Sequence, residues 1–591
     1  MTQKTNRFER FWKELKRRKV IHVITVYAAI AFVILQVTNM VVRPLRLPDW
    51  TEAFVIFLLC IGFVISVFVS WVYDITPAGV RKTKPIITVK YIDQTIHVTS
   101  SRWKIATYIS GVIIFALIAF NFISRRNLNE DILKLEKSIA VLPFLNESPV
   151  DSNKYFINGI MEEILTNLQK IKDFRVVSRT SADQYKGQDR PAIPEIAKKL
   201  NVNYVVEGSG QKYGKNFVLR VQLITGKKER HLWANSYEQE IREVKDYIKI
   251  QSQIAQAIAA ELKAVITPDE KHRIEKIPTE NIEAYDLYLK GTYCYQKSTA
   301  EGFKKASEYY EQALQKDPNY ALAYLGLANV NGGSTFFGNV PPHEAFPKVI
   351  EYVNKALKID STLAEAYMLL GNIDTYINWN WKAAELNYKR ALQINPNLPL
   401  IHASYSGLLA ITGRFEEAIY EAKRAQELDP LSGFFNTGFT FYMAGQYDRA
   451  IEELKMNLTK NPEYYQTHMF LGLAYLEKEM NKEAVSEFEK AVDLSDGNPS
   501  VIAWLVVGYY FNGENDRADE LFDSLKERSE TEYVPATFFY LIYLVRGEED
   551  FAFEWLKRAC KEHDTYLPVM RSLIIQAGSR YQALLKEVGL I

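Results

Sequence analysis

The positions of apolar and polar residues divide the chain into three consecutive patterns. The first pattern consists of three long apolar runs without any Asp, Glu, Lys or Arg, at residues 20–42, 53–73 and 105–123, of 23, 21 and 19 residues. Because about 20 apolar residues in a helix cross a bilayer core, the pattern predicts three transmembrane helices within a membrane domain at 20–124. For the third run, the shortest, a buried core helix is the alternative interpretation.

The second pattern covers residues 137–268, where short β-branched runs alternate with helical periods. The segments 138–145 and 174–179 are predicted strands, and 155–170 is a predicted amphipathic helix. Apolar and polar residues then alternate over 217–223, which indicates one strand of a half-buried hairpin. This part of the chain is therefore predicted to be a small α/β domain.

A glycine-rich stretch in this domain has the outline of a phosphate-binding loop. It contains the pair Gly214 and Lys215, but a P-loop requires a glycine five residues before that pair and Ser or Thr after it. Ser209 and Asn216 stand at those positions, and a strand follows instead of a helix. Because glycine is a common turn residue, the stretch is predicted to be a turn.

The third pattern, over residues 281–591, is helical and repeats itself. Segments such as AELNYKRALQINPNLPLIHASYSGLL and DRAIEELKMNLTKNPEYYQTHMFLGLAY share the order small residue, aromatic or Leu, small residue, turn, and new helix with a Gly. Corresponding turn residues are separated by 43, 35, 34, 32 and 37 residues: Pro318, Ser361, Pro396, Pro430, Pro462 and Pro499. This spacing resembles that of the tetratricopeptide repeat family, whose period is 34 residues. The insert at 331–346 and the chain after Pro499 depart from this pattern, so the predicted number of repeats is a range, from seven to nine.

A repeat array of this kind leaves a concave face, lined by the first helix of each repeat, that suits a peptide or protein ligand. Counting by helical phase places six side chains toward that groove: Asn329, Asn372, Phe435, Phe439, Tyr442 and Met469. For each of them, packing against the next repeat is the alternative interpretation.

Basic residues near the ends of the apolar runs predict the orientation, because basic flanks tend to stay in the cytoplasm. Eight Lys and Arg residues lie in the segment 1–19, two lie between the first two runs, and six lie between the second and third. The segment 1–19 is therefore predicted to be cytoplasmic. Three crossings would make the chain a multi-pass bacterial inner-membrane protein whose soluble domains are periplasmic. If the third crossing is wrong, those domains are cytoplasmic.

Composition and charge add mainly exclusions. The formal net charge of +1 provides no basic surface for nucleic acid. Three cysteines and eight histidines are isolated in sequence, without disulfide, metal-ligand or zincin spacing. His402 and His468 fall at packing positions of repeat helices and are interpreted as core residues. We predict no metal, no cofactor and no catalytic site, and the sequence leaves the oligomeric state open.

The membrane and α/β segments also resemble a known group of proteins. ELKRRKVIHVITVYAAIAFVILQV resembles the membrane module of bacterial multidomain proteins that combine TolB-amino-terminal-like or FlgO-like domains with tetratricopeptide repeats. SIAVLPFLN, NGIMEEILTNL, FRVVSRTS, IAKKLNVNYVVEGS and LWANSYEQE resemble that α/β domain in the same order. The fold class expected is multidomain, with N-terminal transmembrane helices, a small α/β domain and a C-terminal all-α TPR superhelical solenoid.

Relatives in that group often carry a cytoplasmic class III adenylate cyclase domain or a winged-helix regulator before a membrane span. Here 19 residues precede the first apolar run, and paired metal-binding aspartates with a following glycine-rich turn are not recognisable. We expect a non-catalytic interaction scaffold or sensor in envelope signalling or assembly. The alternative is a component of a cyclase-like or transcription-regulator-like signalling system, or an adenylate cyclase without a recognisable catalytic domain.

Overall fold

The computed structural model of this chain describes residues 12, 15–16, 20–41, 50–76, 79–82, 135–148, 153–187, 189–336, 341–432 and 435–591. The chain divides into two compact units, Met1–Lys134 and Leu135–Ile591. The second unit contains both the sheet domain and the helical repeats.

In the N-terminal unit, the described residues include two packed apolar helices. Helix α1 is Val20–Val41 and helix α2 is Trp50–Val72; a hairpin of β1, Tyr73–Thr76, and β2, Gly79–Lys82, follows. The Tyr27 hydroxyl on α1 donates a hydrogen bond to the Leu59 carbonyl of α2 at 2.7 Å. This bond satisfies the tyrosine hydroxyl inside an apolar contact.

The prediction of three transmembrane helices is wrong for the described part of the chain, where one helix is long and apolar enough to cross a bilayer, over Val20–Thr38. A shorter apolar stretch, Val55–Trp71, lies within α2. The third predicted run, 105–123, lies outside the described residues.

The sheet domain opens the second unit. Its strands are β3, Ser138–Val141; β4, Leu145–Asn146; β5, Arg175–Val176; β6, Tyr204–Tyr213; β7, Asn216–Thr225; and β8, His231–Glu240. The sheet order is β5-β3-β6-β7-β8, with β4 also paired to β6. The pairs β3–β5, β3–β6 and β4–β6 are parallel, whereas β6–β7 and β7–β8 are antiparallel.

Helices cover the sheet on both faces. They are α3, Lys154–Gln169; α4, Arg179–Asp183; α5, Ile193–Lys199; α6, Val244–Glu261; and α7, Pro268–Glu275. On one face the Phe156 ring of α3 packs edge-on against Phe217 of β7, with ring centroids 5.3 Å apart. On the other face Ile196 of α5 belongs to a buried cluster that includes Val205 of β6. Burial on both faces explains the short, continuous apolar runs of the central strands.

The glycine-rich stretch forms a tight hairpin, as the sequence predicted. Strands β6 and β7 pair from Tyr204 with Thr225 to Tyr213 with Asn216, which leaves Gly214 and Lys215 as the two-residue turn. Gly214 has a φ of +57°, a conformation that favours glycine at the first position of such a turn.

Among the described residues, nine helix pairs form the repeat array. The first helices are α8, Ile282–Tyr295; α10, Ala321–Phe336; α12, Ala364–Tyr376; α14, Pro399–Ile411; α16, Asn436–Met443; α18, Tyr465–Leu476; α20, Pro499–Phe511; α22, Ala536–Val545; and α24, Leu567–Gln576. The second helices are α9, Ala300–Lys316; α11, Pro342–Ile359; α13, Trp381–Ile394; α15, Phe415–Leu428; α17, Tyr447–Lys460; α19, Asn481–Leu494; α21, Asn515–Arg528; α23, Glu549–Lys561; and α25, Ser579–Glu587. The predicted insert mainly lengthens α10 and α11.

Small residues and aromatic rings alternate inside the repeats as predicted. The Tyr388 ring lies against Gly371, where a Cβ atom would be 2.7 Å from the ring. The Phe488 ring packs between Gly472 and Gly508, where added Cβ atoms would lie 2.6 and 2.9 Å from it. These glycines therefore allow the two helices of a repeat, and the first helix of the next, to approach around one ring.

The α/β domain is docked onto the middle of the repeat array by buried hydrogen bonds. The Ser181 hydroxyl donates to the Asp429 carboxylate at 2.6 Å and accepts from the Leu431 backbone amide at 2.8 Å. The Ser178 amide donates to the Leu428 carbonyl at 2.7 Å. Burial raises the pKa of Asp429, and the serine hydroxyls oppose this by hydrogen bonding to its carboxylate.

A second contact joins the end of α3 to the turn between the third and fourth repeats. The side-chain amide of Asn397, buried among these elements, donates to the carbonyls of Gln169 and Ile171 at 3.0 and 3.3 Å. These carbonyls lie at the end of α3 and two residues beyond it, where backbone acceptors lack helical partners.

Candidate partner-binding groove

A cavity of about 550 Å³ lies along the inner face of the repeat array. Its wall is built mainly from the first helices of successive repeats, from α10 to α20, together with α24 of the last repeat. We call this cavity the groove.

All six residues predicted from helical phase line the groove: Asn329, Asn372, Phe435, Phe439, Tyr442 and Met469. Phe439 and Met469 are also largely buried, with exposed fractions of 5% and 8%. These two side chains therefore also pack inside the array, which was the alternative interpretation from the sequence. That the six bind a partner stays a prediction.

Four aromatic rings form a cluster in the groove wall. The Phe435 and Phe470 rings are stacked with centroids 4.8 Å apart, and Phe439 meets Phe470 edge-on at 5.1 Å. Tyr442 lies 6.4 Å from the same Phe470 ring. The cluster provides a large apolar contact area on side chains with few rotatable bonds, a property common in binding surfaces.

The polar groups of the groove are uncharged. Among the described residues, no Asp, Glu, Lys or Arg lines it. The Gln466 side-chain oxygen and the Tyr533 hydroxyl line it and are buried without a hydrogen-bond partner. The Asn372 carboxamide oxygen accepts from the Tyr388 hydroxyl at 2.7 Å. The groove is thus an apolar surface with a few open amide and hydroxyl positions.

Other lining residues were missed by the sequence analysis, although the repeat itself identifies some of them. In several repeats the groove receives the residue three positions before the repeat glycine and the residue one position after it. Counting in this way from Gly371 and Gly472 finds Met368 and Leu473, which the sequence prediction omitted. Trp504 and Phe470 do not follow that count, because their positions depend on the superhelical twist.

The last repeats return to the third repeat and close one side of the groove. The His563 ring stacks on Trp379 with centroids 4.6 Å apart, and His563 Nδ1 lies 2.8 Å from the Ile377 carbonyl. Both Trp379 and His563 adopt a positive φ, of +54° and +51°. This contact spans 186 residues between His563 and Ile377, and local sequence patterns do not report contacts at that separation.

The histidines interpreted as core residues have both ring nitrogens engaged within the array. His468 Nδ1 lies 2.6 Å from the Glu487 carboxylate, and Nε2 lies 2.9 Å from the Pro462 carbonyl. The hydrogen bond with Glu487 raises the pKa of His468. His402 has partners at the same sequence separations. Across the part of the chain that the structure describes, no group of three or more His, Cys, Asp or Glu side chains is placed to hold a metal ion.

Two family models match separate parts of the chain. Residues 135–257 match the second domain of HilA/YgeH-like transcriptional regulators, and residues 440–499 match a tetratricopeptide repeat model. The TPR resemblance is thereby confirmed. The α/β segment matches the regulator domain, and its resemblance to TolB-like or FlgO-like domains is not confirmed.

The matches to curated proteins with similar sequences each cover only part of this chain and part of the relative. A putative adenylate cyclase 3 of Rhizobium meliloti is 32% identical over 198 residues, 34% of this chain and 33% of that protein. A TPR repeat-containing protein of Borreliella burgdorferi is 34% identical over 77 residues, 13% of this chain and 34% of that protein. The chain thus spans about a third of each.

Among solved structures, one match is Pseudomonas aeruginosa pilF, which is 22% identical in sequence. The match covers 39% of this chain and 98% of the pilF chain, with a TM-score of 0.26. The repeat model and the helix pairs define the class: this is a TPR-containing protein with a small sheet domain and, among the described residues, one N-terminal helix long and apolar enough to cross a bilayer.

Proposed function

We propose that this chain is a membrane-anchored, non-catalytic interaction protein that binds an uncharged, apolar segment of a partner protein in the groove. The observation that carries the proposal is the combination of a clustered aromatic wall with the lack of charged side chains along the described groove. Inner faces of repeat arrays are extended surfaces that suit extended ligands.

The few open polar atoms support a peptide as the ligand. A peptide backbone presents one N–H donor and one C=O acceptor at nearly every residue. The Gln466 side-chain oxygen is able to accept a hydrogen bond and the Tyr533 hydroxyl is able to donate one, and neither atom has a partner among the described residues. The aromatic cluster around Phe470 would take the apolar side chains.

Substitution of the groove aromatics tests the proposal. The full chain in detergent would be screened against a library of eight-residue peptides, and selected peptides would be titrated against the wild type, Phe435→Ala and Phe511→Ala. We expect selected peptides to be aromatic or aliphatic and free of charge. Phe435→Ala should weaken binding about 30-fold, the loss of about 2 kcal/mol that a buried aromatic hot spot contributes.

Phe511 is the matched control, because it is a 54% exposed phenylalanine that does not line the groove. Its alanine variant should bind as the wild type does. Enrichment of charged peptides, or equal affinities for the two variants, would contradict the proposal.

Two matches favour a second candidate, a component of a cyclase-like or regulator-like signalling system. They are the similarity to a putative adenylate cyclase and the match of residues 135–257 to a domain of transcriptional regulators. The groove proposal is compatible with such a system if the chain recruits another component. Formation of cyclic AMP from ATP by the purified full chain would overturn the non-catalytic part of the proposal.

We further propose that helix α1 anchors the chain in a bacterial inner membrane, with its N-terminus inside and residues 135–591 in the periplasm. Eight basic residues precede α1 and two lie between 42 and 53, an asymmetry that favours this direction of insertion. The six basic residues at 81–104 favour the cytoplasm by the same rule. The position of that segment therefore distinguishes one crossing from three.

Reporter fusions that are active only in the periplasm test this topology. A reporter at Ile591 should be active, because one crossing and three crossings both place it outside. A reporter at Lys84 should be active for one crossing and silent for three. Silence at Ile591 would overturn the periplasmic proposal.

A further inference from the structure

A second cavity, of about 720 Å³, lies between the α/β domain and the first repeats. It adjoins the groove and shares five lining residues with it: Tyr295, Asn329, Met368, Leu400 and Tyr464. Nine acidic and basic side chains line this cavity, whereas none lines the described groove. We call it the ionic chamber.

Five of the nine charged groups are already satisfied inside the protein. Arg179 forms an ion pair with Glu162, and Lys276 forms one with Asp360. The Asp429 carboxylate accepts the hydrogen bond from Ser181 described above. These groups hold the domain and the repeats together around the chamber.

The remaining four are Glu163, Lys170, Glu365 and Arg273. The Glu163 carboxylate has no hydrogen bond or ion pair with any described residue, and burial raises its pKa to about 7 although the charge of Lys170 opposes this. The Lys170 ammonium donates to the Asn167 side-chain oxygen at 3.0 Å and to the Arg273 backbone carbonyl at 3.4 Å. Burial lowers the pKa of Lys170, and the charges of Glu163 and Glu365 oppose this. Two acidic and two basic groups thus line one cavity, and none of the four forms an ion pair with a described residue.

A buried amide gives independent evidence for a missing ligand atom. Gln251 lines the chamber with an exposed fraction of 1%. Its side-chain nitrogen donates to the Tyr285 hydroxyl at 3.1 Å, while its side-chain oxygen has no partner. The Arg273 Nε is also buried without an acceptor. Buried polar groups in native structures nearly always have a partner, and an occupant of the chamber would supply one to each of these atoms.

We propose that the ionic chamber binds a small zwitterion of the α-amino acid or dipeptide class. Its ammonium group lies between the carboxylates of Glu163 and Glu365, and its carboxylate lies at the guanidinium of Arg273. The equal number of open acidic and basic groups matches a ligand with one charge of each sign, because an unpaired charge is costly to desolvate. The size of the cavity is in the range of small-molecule sites.

Calorimetric titration of the full chain in detergent with glycyl-leucine tests this proposal. We expect glycyl-leucine to bind. Glu163→Gln and Glu365→Gln should each weaken this binding about tenfold or more, because glutamine keeps the shape of glutamate but loses the charge that strengthens the hydrogen bond to the ligand ammonium. The matched control is Glu416→Gln, because Glu416 is exposed on α15 and does not line the chamber. That variant should bind as the wild type does.

Capped dipeptides separate the two charges of the ligand. N-acetyl-glycyl-leucine lacks the ammonium group, and glycyl-leucine amide lacks the carboxylate, so both should bind at least about tenfold more weakly than glycyl-leucine. Equal binding of the amide would overturn the zwitterion and indicate a cation site instead. No heat at about 10 mM, a concentration that saturates a 1 mM site, would also overturn the proposal and leave water as the occupant.

The proposal is independent of the groove. Phe435→Ala should leave dipeptide binding unchanged, so the loss of groove binding and the loss of chamber binding are distinguishable. A thermal midpoint of each Gln variant equal to that of the wild type shows that a weaker titration reflects the site rather than unfolding.

Discussion

Phe488→Ala is expected to destabilise the repeat array by about 3–5 kcal/mol, the usual cost of removing a buried phenylalanine side chain. The Phe488 ring is completely buried and fills the space beside Gly472 and Gly508. Because glycine has no side chain, neither neighbour is able to fill the resulting cavity. The loss therefore affects two adjacent repeats rather than one.

Denaturant unfolding of the full chain, followed by hydrogen exchange of α18 to α20, measures this effect. Repeat arrays are stabilised mainly by contacts between neighbours, so we expect amides near the substitution to exchange faster than those of α8 and α9. Phe511→Ala, a change at an exposed site next to the same repeats, should stay within about 0.5 kcal/mol of the wild type. Equal denaturation of the two variants would contradict the role assigned to the Phe488 ring.

Arg175→Met is expected to loosen the docking of the α/β domain on the array, at a cost of about 2–3 kcal/mol from backbone acceptors left without donors. The Arg175 side chain is 6% exposed. It donates to the Glu136 carboxylate at 2.6 and 3.0 Å, to the Glu427 carbonyl at 3.3 Å, and to the Asn201 carbonyl. One side chain thus joins the sheet to the fourth repeat.

Hydrogen exchange at the Ser178 amide measures this loosening directly, because that amide donates to the Leu428 carbonyl across the same boundary. We expect faster exchange there in Arg175→Met and little change in Arg424→Met. Arg424 is the control because it pairs with Glu427 at the surface of the array. Unchanged exchange in Arg175→Met would show that the other docking contacts suffice.

The Arg175 contact also has an expected pH dependence. The hydrogen bond from Arg175 lowers the pKa of Glu136 in the folded protein. A lowered carboxylate pKa stabilises the fold above the pKa of the unfolded chain, and this contribution is lost as the pH falls through the folded pKa. The difference between the wild type and Arg175→Met should therefore decrease at acidic pH.

The repeat fold was accessible from sequence because its determinants are local. Residues such as Ala391 and Tyr388 recur with the period of one repeat, and each repeat contacts mainly its neighbours. The same period placed Asn372, Phe435 and Phe439 on a common face, which lines the groove. The hairpin turn at Gly214 and Lys215 was also predictable, because it depends on the geometry of adjacent residues.

The number of membrane-crossing helices was less predictable. Counting uncharged residues predicts three spans, whereas among the described residues one helix, over Val20–Thr38, is long and apolar enough to cross a bilayer. Element ends are the least certain part of a pattern-based prediction.

The amino-acid sequence by itself determined the order of the α/β segment and the helical repeats, the turns, and the phase of the groove residues, because periodicity of 2 and 3.6 residues and a 34-residue repeat are properties of neighbouring positions. Tertiary structure alone decided how Asn397 docks the end of α3, how His563 reaches Trp379, and how Glu163, Glu365 and Arg273 come to line one chamber. These contacts join residues about 100 to more than 200 positions apart. Their geometry depends on the accumulated twist of many repeats, which no local pattern records.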